Sequence, residues 1–172
     1  MRPWEHVVVA LLPVVAYSLA RYQRLPGEDM VLVVFFASLL PDIVDKPLAW
    51  TLGILPSGRM LAHSLVVALP VILLVVLASY WLGYAPHGLG FAWGYLSHLA
   101  ADFYPVLWQG RGYSYYPNMF WPIMDANPDR NGSFGSYAAD MGYHVFAELV
   151  VISLVVGYIV IVFWQRRDRQ PT

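Results

Sequence analysis

The 172-residue chain contains no cysteine. That excludes a disulfide framework, a thiolate metal site and a cysteine nucleophile. Charge is also scarce. Only 12% of residues are Asp, Glu, Lys or Arg, about half the roughly 25% of an ordinary soluble domain. Ten basic residues against eleven acidic ones give a formal net charge of −1. No basic stripe is available to track a phosphate backbone, so no nucleic-acid partner is expected. The sequence also lacks a glycine-rich phosphate loop, a serine nucleophile elbow and a His-Glu-x-x-His pair. No internal repeat or low-complexity tract divides it, and its length suits one domain over residues 1–172.

What is abundant is apolar surface. Hydrophobic residues make up 59% of the chain, aromatics 16%, and the mean hydropathy is +0.54. This composition predicts an all-α integral membrane bundle of about five transmembrane helices, since a span needs about 20 mostly apolar residues. The expected spans run from Pro3 to Ala20, Met30 to Val44, Met60 to Tyr84, Gly88 to Trp108 and Tyr143 to Trp164. Leu, Val and Ala dominate them without period-2 alternation, which favours helices over barrel strands. A re-entrant hairpin over Val31 to Ile54 competes with the second span. Ser18-Leu19-Ala20 resembles a signal-peptide cleavage site. Gln109 to Gly142, rich in Tyr and Trp, is expected to be an aromatic cap between the last two spans.

Ionisable residues inside apolar helices are expensive, so each is a candidate functional residue. If five helices alternate in direction, His6, Asp42, Asp45, His63, His98, Asp102, His144 and Glu148 all fall at the end of the bundle that holds the N-terminus. The local spacings agree. His98 and Asp102 are four apart, as are His144 and Glu148, so each pair shares one helical face. Imidazole and carboxylate groups on facing helices are how bundles build metal sites. A donor set without sulfur suits zinc, with manganese and iron as alternatives. Eight groups would serve two or three divalent ions. Singly, such a His is more often a hydrogen-bonded packing residue, and Asp42 with Asp45 could cap a turn. Their convergence favours a metal centre. Arg59, four residues before His63, is placed to meet an anionic substrate, although interfacial snorkelling explains it equally well.

These residues carry a resemblance. The segments Leu39-Leu40-Pro41-Asp42-Ile43-Val44-Asp45-Lys46-Pro47, Gly58-Arg59-Met60-Leu61-Ala62-His63-Ser64, Gly94-Tyr95-Leu96-Ser97-His98-Leu99-Ala100-Ala101-Asp102 and Phe120-Trp121-Pro122 resemble the membrane-bound metal-dependent hydrolases. That family is also described as LexA-binding, inner-membrane-associated hydrolases. The chain departs from the commoner pattern at Asp42-x-x-Asp45, where Asp-x-Asp is usual, and at Gly58 and Ala62, where His and Thr are usual. More distantly, the order of ligand-type residues is similar to that of zinc-dependent phospholipase C and the single-strand nucleases. Two ligands of those enzymes, the free N-terminal residue and a further His, have no evident counterpart here.

The resemblance implies a phosphoester hydrolase at the membrane, acting on a phospholipid or lipid-linked phosphate. Bound metals would activate a water, one of Asp42 and Asp45 would ligate while the other orients or deprotonates that water, and Arg59 would hold a phosphoryl oxygen. The competing function is a divalent-cation or proton transporter using the same ligands. A third reading keeps the polar groups as interhelical glue. The expected location is the plasma or inner membrane, multi-pass, among membrane lipids. Arginines clustered at span ends on the opposite side place the metal site externally.

Overall fold

The computed structural model describes residues 3–109, 115–129, 133, 135, 149–150, 152–158 and 160, with the side chains of 104–109 excepted. Among these, the architecture is all-α. Helix α1 spans Pro3–Tyr22, α2 Glu28–Lys46, α3 Leu65–Trp81 and α4 Ala85–Gln109. A single π-helical turn, Pro47–Thr51, extends α2, and a 3-10 turn forms at Pro117–Phe120. Residues 152–158 are also helical.

Local chemistry sets the boundaries. Glu28 and Asp29 occupy the first turn of α2, where acidic groups complement the helix dipole. The Ser64 side chain caps α3 by accepting from the Val66 amide at 3.2 Å. The turn between α1 and α2 passes through Gln23 in the left-handed region (φ 53°). Helix α4 is the centre of the assembly and packs on α1, α2 and α3. Ala68 and Ile72 of α3 meet Tyr95 and Leu99 of α4 in one apolar cluster, which Leu40 of α2 joins.

The expected five-span arrangement is corrected here. Among the described residues, only α1 is long and apolar enough to cross a membrane by length and composition. Helix α2 is interrupted by Glu28, Asp29, Asp42, Asp45 and Lys46, too many charges for a span. The third expected span does not begin at Met60. Residues 60–64 form turns, and the helix that follows has 17 residues. Helix α4 has the length, but glycines, Ser97, His98 and Asp102 lower its hydropathy. The fifth expected span lies mostly outside the described residues. Among the described residues a single qualifying span is found, not a multi-pass arrangement. No re-entrant hairpin forms, because α2 continues to Lys46 and into the π turn. The error came from summing hydropathy over stretches whose polar residues do structural work inside the protein.

The aromatic cap is corrected too. Its described stretch 115–129 is fastened by polar groups. The Asp129 carboxylate accepts from Trp50 Nε1 (3.0 Å), Ser57 Oγ (2.9 Å) and the Gly58 amide (2.8 Å). Asn118 Nδ2 donates to the Arg59 carbonyl at 2.8 Å, and Asn118 Oδ1 accepts from the Asn127 amide at 2.7 Å. Gly58 is required beneath this lock, since a Cβ there would lie 2.9 Å from the Trp50 ring.

Helices α2 and α4 approach closely at Gly94. A Cβ at that position would stand 2.8 Å from the Val34 carbonyl oxygen and 2.9 Å from Ala37 Cβ. Both obstacles are α2 backbone or its first side-chain carbon, so neither can swing aside. Gly94→Ala is expected to push the helices apart and destabilise the fold by about 1–3 kcal/mol, the usual range for overpacking. Chemical denaturation measures this, and an unchanged midpoint would contradict the close approach.

Candidate metal centre

Gly94 matters because His98 follows it by one helical turn. The close contact brings the His98 ring to α2, where Nδ1 donates to the Ser38 carbonyl at 2.6 Å. A carbonyl oxygen can only accept, so Nδ1 carries the proton and Nε2 presents its lone pair inward. His63 is oriented by a different route. Its Nδ1 lies 2.8 Å from Asp45 Oδ2, which fixes the same tautomer. Asp45 is itself completely buried and accepts from the amides of Met60 (2.9 Å), Ala62 (2.8 Å) and His63 (3.1 Å). Tyr95 Oη then donates to the Ala62 carbonyl at 2.8 Å, tying the turn to α4.

The two imidazoles converge. His98 Nε2 and His63 Nε2 are 3.1 Å apart. Asp42 Oδ1 lies 3.6 Å from His63 Nε2 and 3.9 Å from His98 Nε2, and Asp102 Oδ2 is 3.5 Å from His63 Nε2. Asp42, His63, His98 and Asp102 thus form a buried cluster able to coordinate a metal ion, with one donor atom of each within 4.8 Å of all the others. A tetrahedral ion with bonds of 2.0–2.1 Å separates its donors by about 3.3 Å, so the spacings fit. A second observation agrees. Asp42 Oδ1 is buried without a hydrogen-bond partner, the condition expected of an atom waiting for a cation.

Electrostatics records the same demand. Burial opposes a charge on His63, yet its contacts with Asp102, Asp42 and Asp45 push its imidazole up to about 10. His98, buried and beside His6 and His63, is pushed down to about 3. One cation is wanted between the two rings. A proton on His63 supplies it when no metal is present.

His6 borders the cluster. Its ring stacks on His98 with centroids 3.8 Å apart, and Nε2 is 3.2 Å from Asp102 Oδ1 without hydrogen-bond alignment. Arg59 Nε donates to Asp102 Oδ2 at 2.7 Å, and its guanidinium lies over the Tyr115 ring at 5.3 Å. The structure therefore gathers His6, Asp42, Asp45, Arg59, His63, His98 and Asp102 at one end of the helices. Asp42 faces the histidine nitrogens, whereas Asp45 faces the backbone and His63 Nδ1. His144 and Glu148 lie outside the described residues.

Sequence reasoning passed over three participants. Lys46 is buried and its Nζ lies 2.6 Å from Asp42 Oδ2; their four-residue spacing was the available signal. Asp129 and Asn118 carry no local signal for the site, because Ser57, Gly58 and Arg59, the residues they hold there, are more than fifty residues away.

No curated protein and no solved structure matches the chain. The chain belongs to the family described as YdjM inner membrane protein, which matches it over residues 1–169.

Proposed function

We propose that this protein is a membrane-associated, metal-dependent hydrolase of phosphoesters. The observation that carries the reading is the pair of inward-facing Nε2 atoms of His63 and His98, with the unpartnered Asp42 Oδ1 and the Asp102 carboxylate beside them. Asp42, His63, His98 and Asp102 would hold the ion. Two imidazoles and two carboxylates without sulfur suit zinc best, with manganese or iron as alternatives. A bound ion there supplies Lewis acidity and brings the pKa of water toward neutrality. His6, next to Asp102 Oδ1, would serve a second ion together with His144 and Glu148.

The chain's own residues supply the rest. Asp45 holds the His63 tautomer and Asp42 is the aspartate offered to the ion; the three backbone amides and the His63 Nδ1 engaged by Asp45 support this assignment. Arg59 engages Asp102 through Nε, and a guanidinium has four further N–H bonds with which to meet a phosphoryl oxygen. The membrane assignment draws on the family's description and on the length of α1. It favours a phospholipid or lipid-linked phosphate as substrate.

Purified protein tests this directly. Metal analysis is expected to return zinc in stoichiometric amount. Hydrolysis of phosphatidic acid or a simple aryl phosphate should vanish with a chelator and return with zinc. A metal-free protein that neither binds added zinc nor hydrolyses either compound would defeat the reading.

A further inference from the structure

The cluster contains a buried cation that metal binding alone does not explain. Lys46 is 7% exposed, and its Nζ sits 2.6 Å from Asp42 Oδ2. An ammonium so near a metal position repels the metal, and a site built only for cation affinity would not contain one. Its placement has two consequences. It occupies Oδ2, so that Oδ1 alone faces His63 and His98. It also makes the loaded cavity positive rather than neutral. Among the described residues, three carboxylates (Asp42, Asp45, Asp102) stand against two cations (Lys46, Arg59). With neutral imidazoles that leaves −1, and a divalent ion makes the cavity +1. Without Lys46 the loaded cavity would be neutral. Nζ also lies over the Trp50 ring, 5.6 Å from its centroid.

We propose that Lys46 is a positioning residue of this centre: it restricts Asp42 to one donor oxygen, and its charge makes the metal-loaded cavity a receptor for an oxyanion of the phosphate type. The inference deepens the metal-centre reading above and rests on it. Lys46 acts through Asp42 and through its field, so direct contact with the anion is not required. At close range inside a protein a unit charge is worth more than a factor of ten in binding an anion.

The test uses the full chain loaded with zinc, inorganic phosphate as the probe, and cobalt as a spectroscopic substitute for zinc. Lys46→Met is expected to weaken phosphate binding at least tenfold while zinc affinity stays level or rises, because a repelling charge has gone. Its cobalt form should show a weaker visible absorption as Asp42 becomes free to offer both oxygens. Lys46→Arg, which keeps the charge, should hold phosphate affinity within about threefold and restore the wild-type cobalt spectrum. The proposal is overturned if Lys46→Met binds phosphate as wild type does. It is overturned equally if that variant loses zinc or fails to fold, since Lys46 would then be a structural prop. Failure of the parent reading looks different: wild-type protein itself would bind neither zinc nor cobalt.

Discussion

Asp45→Asn is expected to lower zinc affinity by about 10–100-fold, the range seen when a partner behind a metal-binding His is altered. The reason is the His63 tautomer. The Asp45 carboxylate accepts everything offered to it: three backbone amides and the Nδ1 proton. An amide has only one accepting atom. Turned to satisfy Met60 and His63, whose amides and Nδ1 share Oδ2 in the native chain, its NH2 would meet the Ala62 amide donor. Turned the other way, the NH2 meets Nδ1, which must then surrender its proton. The proton moves to Nε2, the nitrogen that faces His98 and Asp42, and the donor atom is blocked. Asp45→Ala differs in kind. It leaves three buried amides unpaired, each costing about 1–3 kcal/mol, so a stability loss of roughly 3–5 kcal/mol is expected, as for a broken buried ion pair. Zinc titration and denaturant unfolding separate the two effects. If Asp45→Asn bound zinc like wild type, Asp45 would have no role in orienting His63.

The contrast between Asp42 and Asp45 marks how far the sequence could be read. The alternation of helices placed both acids with His63 and His98. Which acid faces the cavity depends on where the 60–64 turn lies. That turn is a tertiary feature, held by Tyr95 from α4 and by Asp45 itself. The same turn was read as the start of a span, because Met60, Leu61 and Ala62 are apolar. Composition reports that these residues avoid water, not that lipid surrounds them. Met60 and Ala62 are buried against protein. In α2 three of the charged residues that disqualify a span, Asp42, Asp45 and Lys46, are those that build the centre. Asp129 and Asn118 mark the other limit. Their bonds to Ser57, Gly58 and Arg59 span the sequence distance over which periodicity carries no information.

His98→Ala should give the largest loss of function. An outer partner is worth about 10–100-fold in metal affinity, so removing a direct donor is expected to exceed about a hundredfold and to abolish metal-dependent hydrolysis. Stability provides a second readout with a distinctive pattern. Zinc at a thousand times its dissociation constant stabilises a folded chain by about 4 kcal/mol. Wild-type protein should show that shift in denaturant or thermal unfolding, and His98→Ala should show almost none at the same zinc concentration. Without metal the difference should narrow. The deletion then removes the ring stacked on His6, the bond to the Ser38 carbonyl and the acceptor that faces the protonated His63 Nε2 at 3.1 Å, and the difference left is that of these contacts without the ion's share. A residue serving only as interhelical glue would give the opposite pattern, a large loss without metal and the same zinc response as wild type. The size of the zinc-dependent shift therefore decides whether the two rings face each other for packing or for an ion.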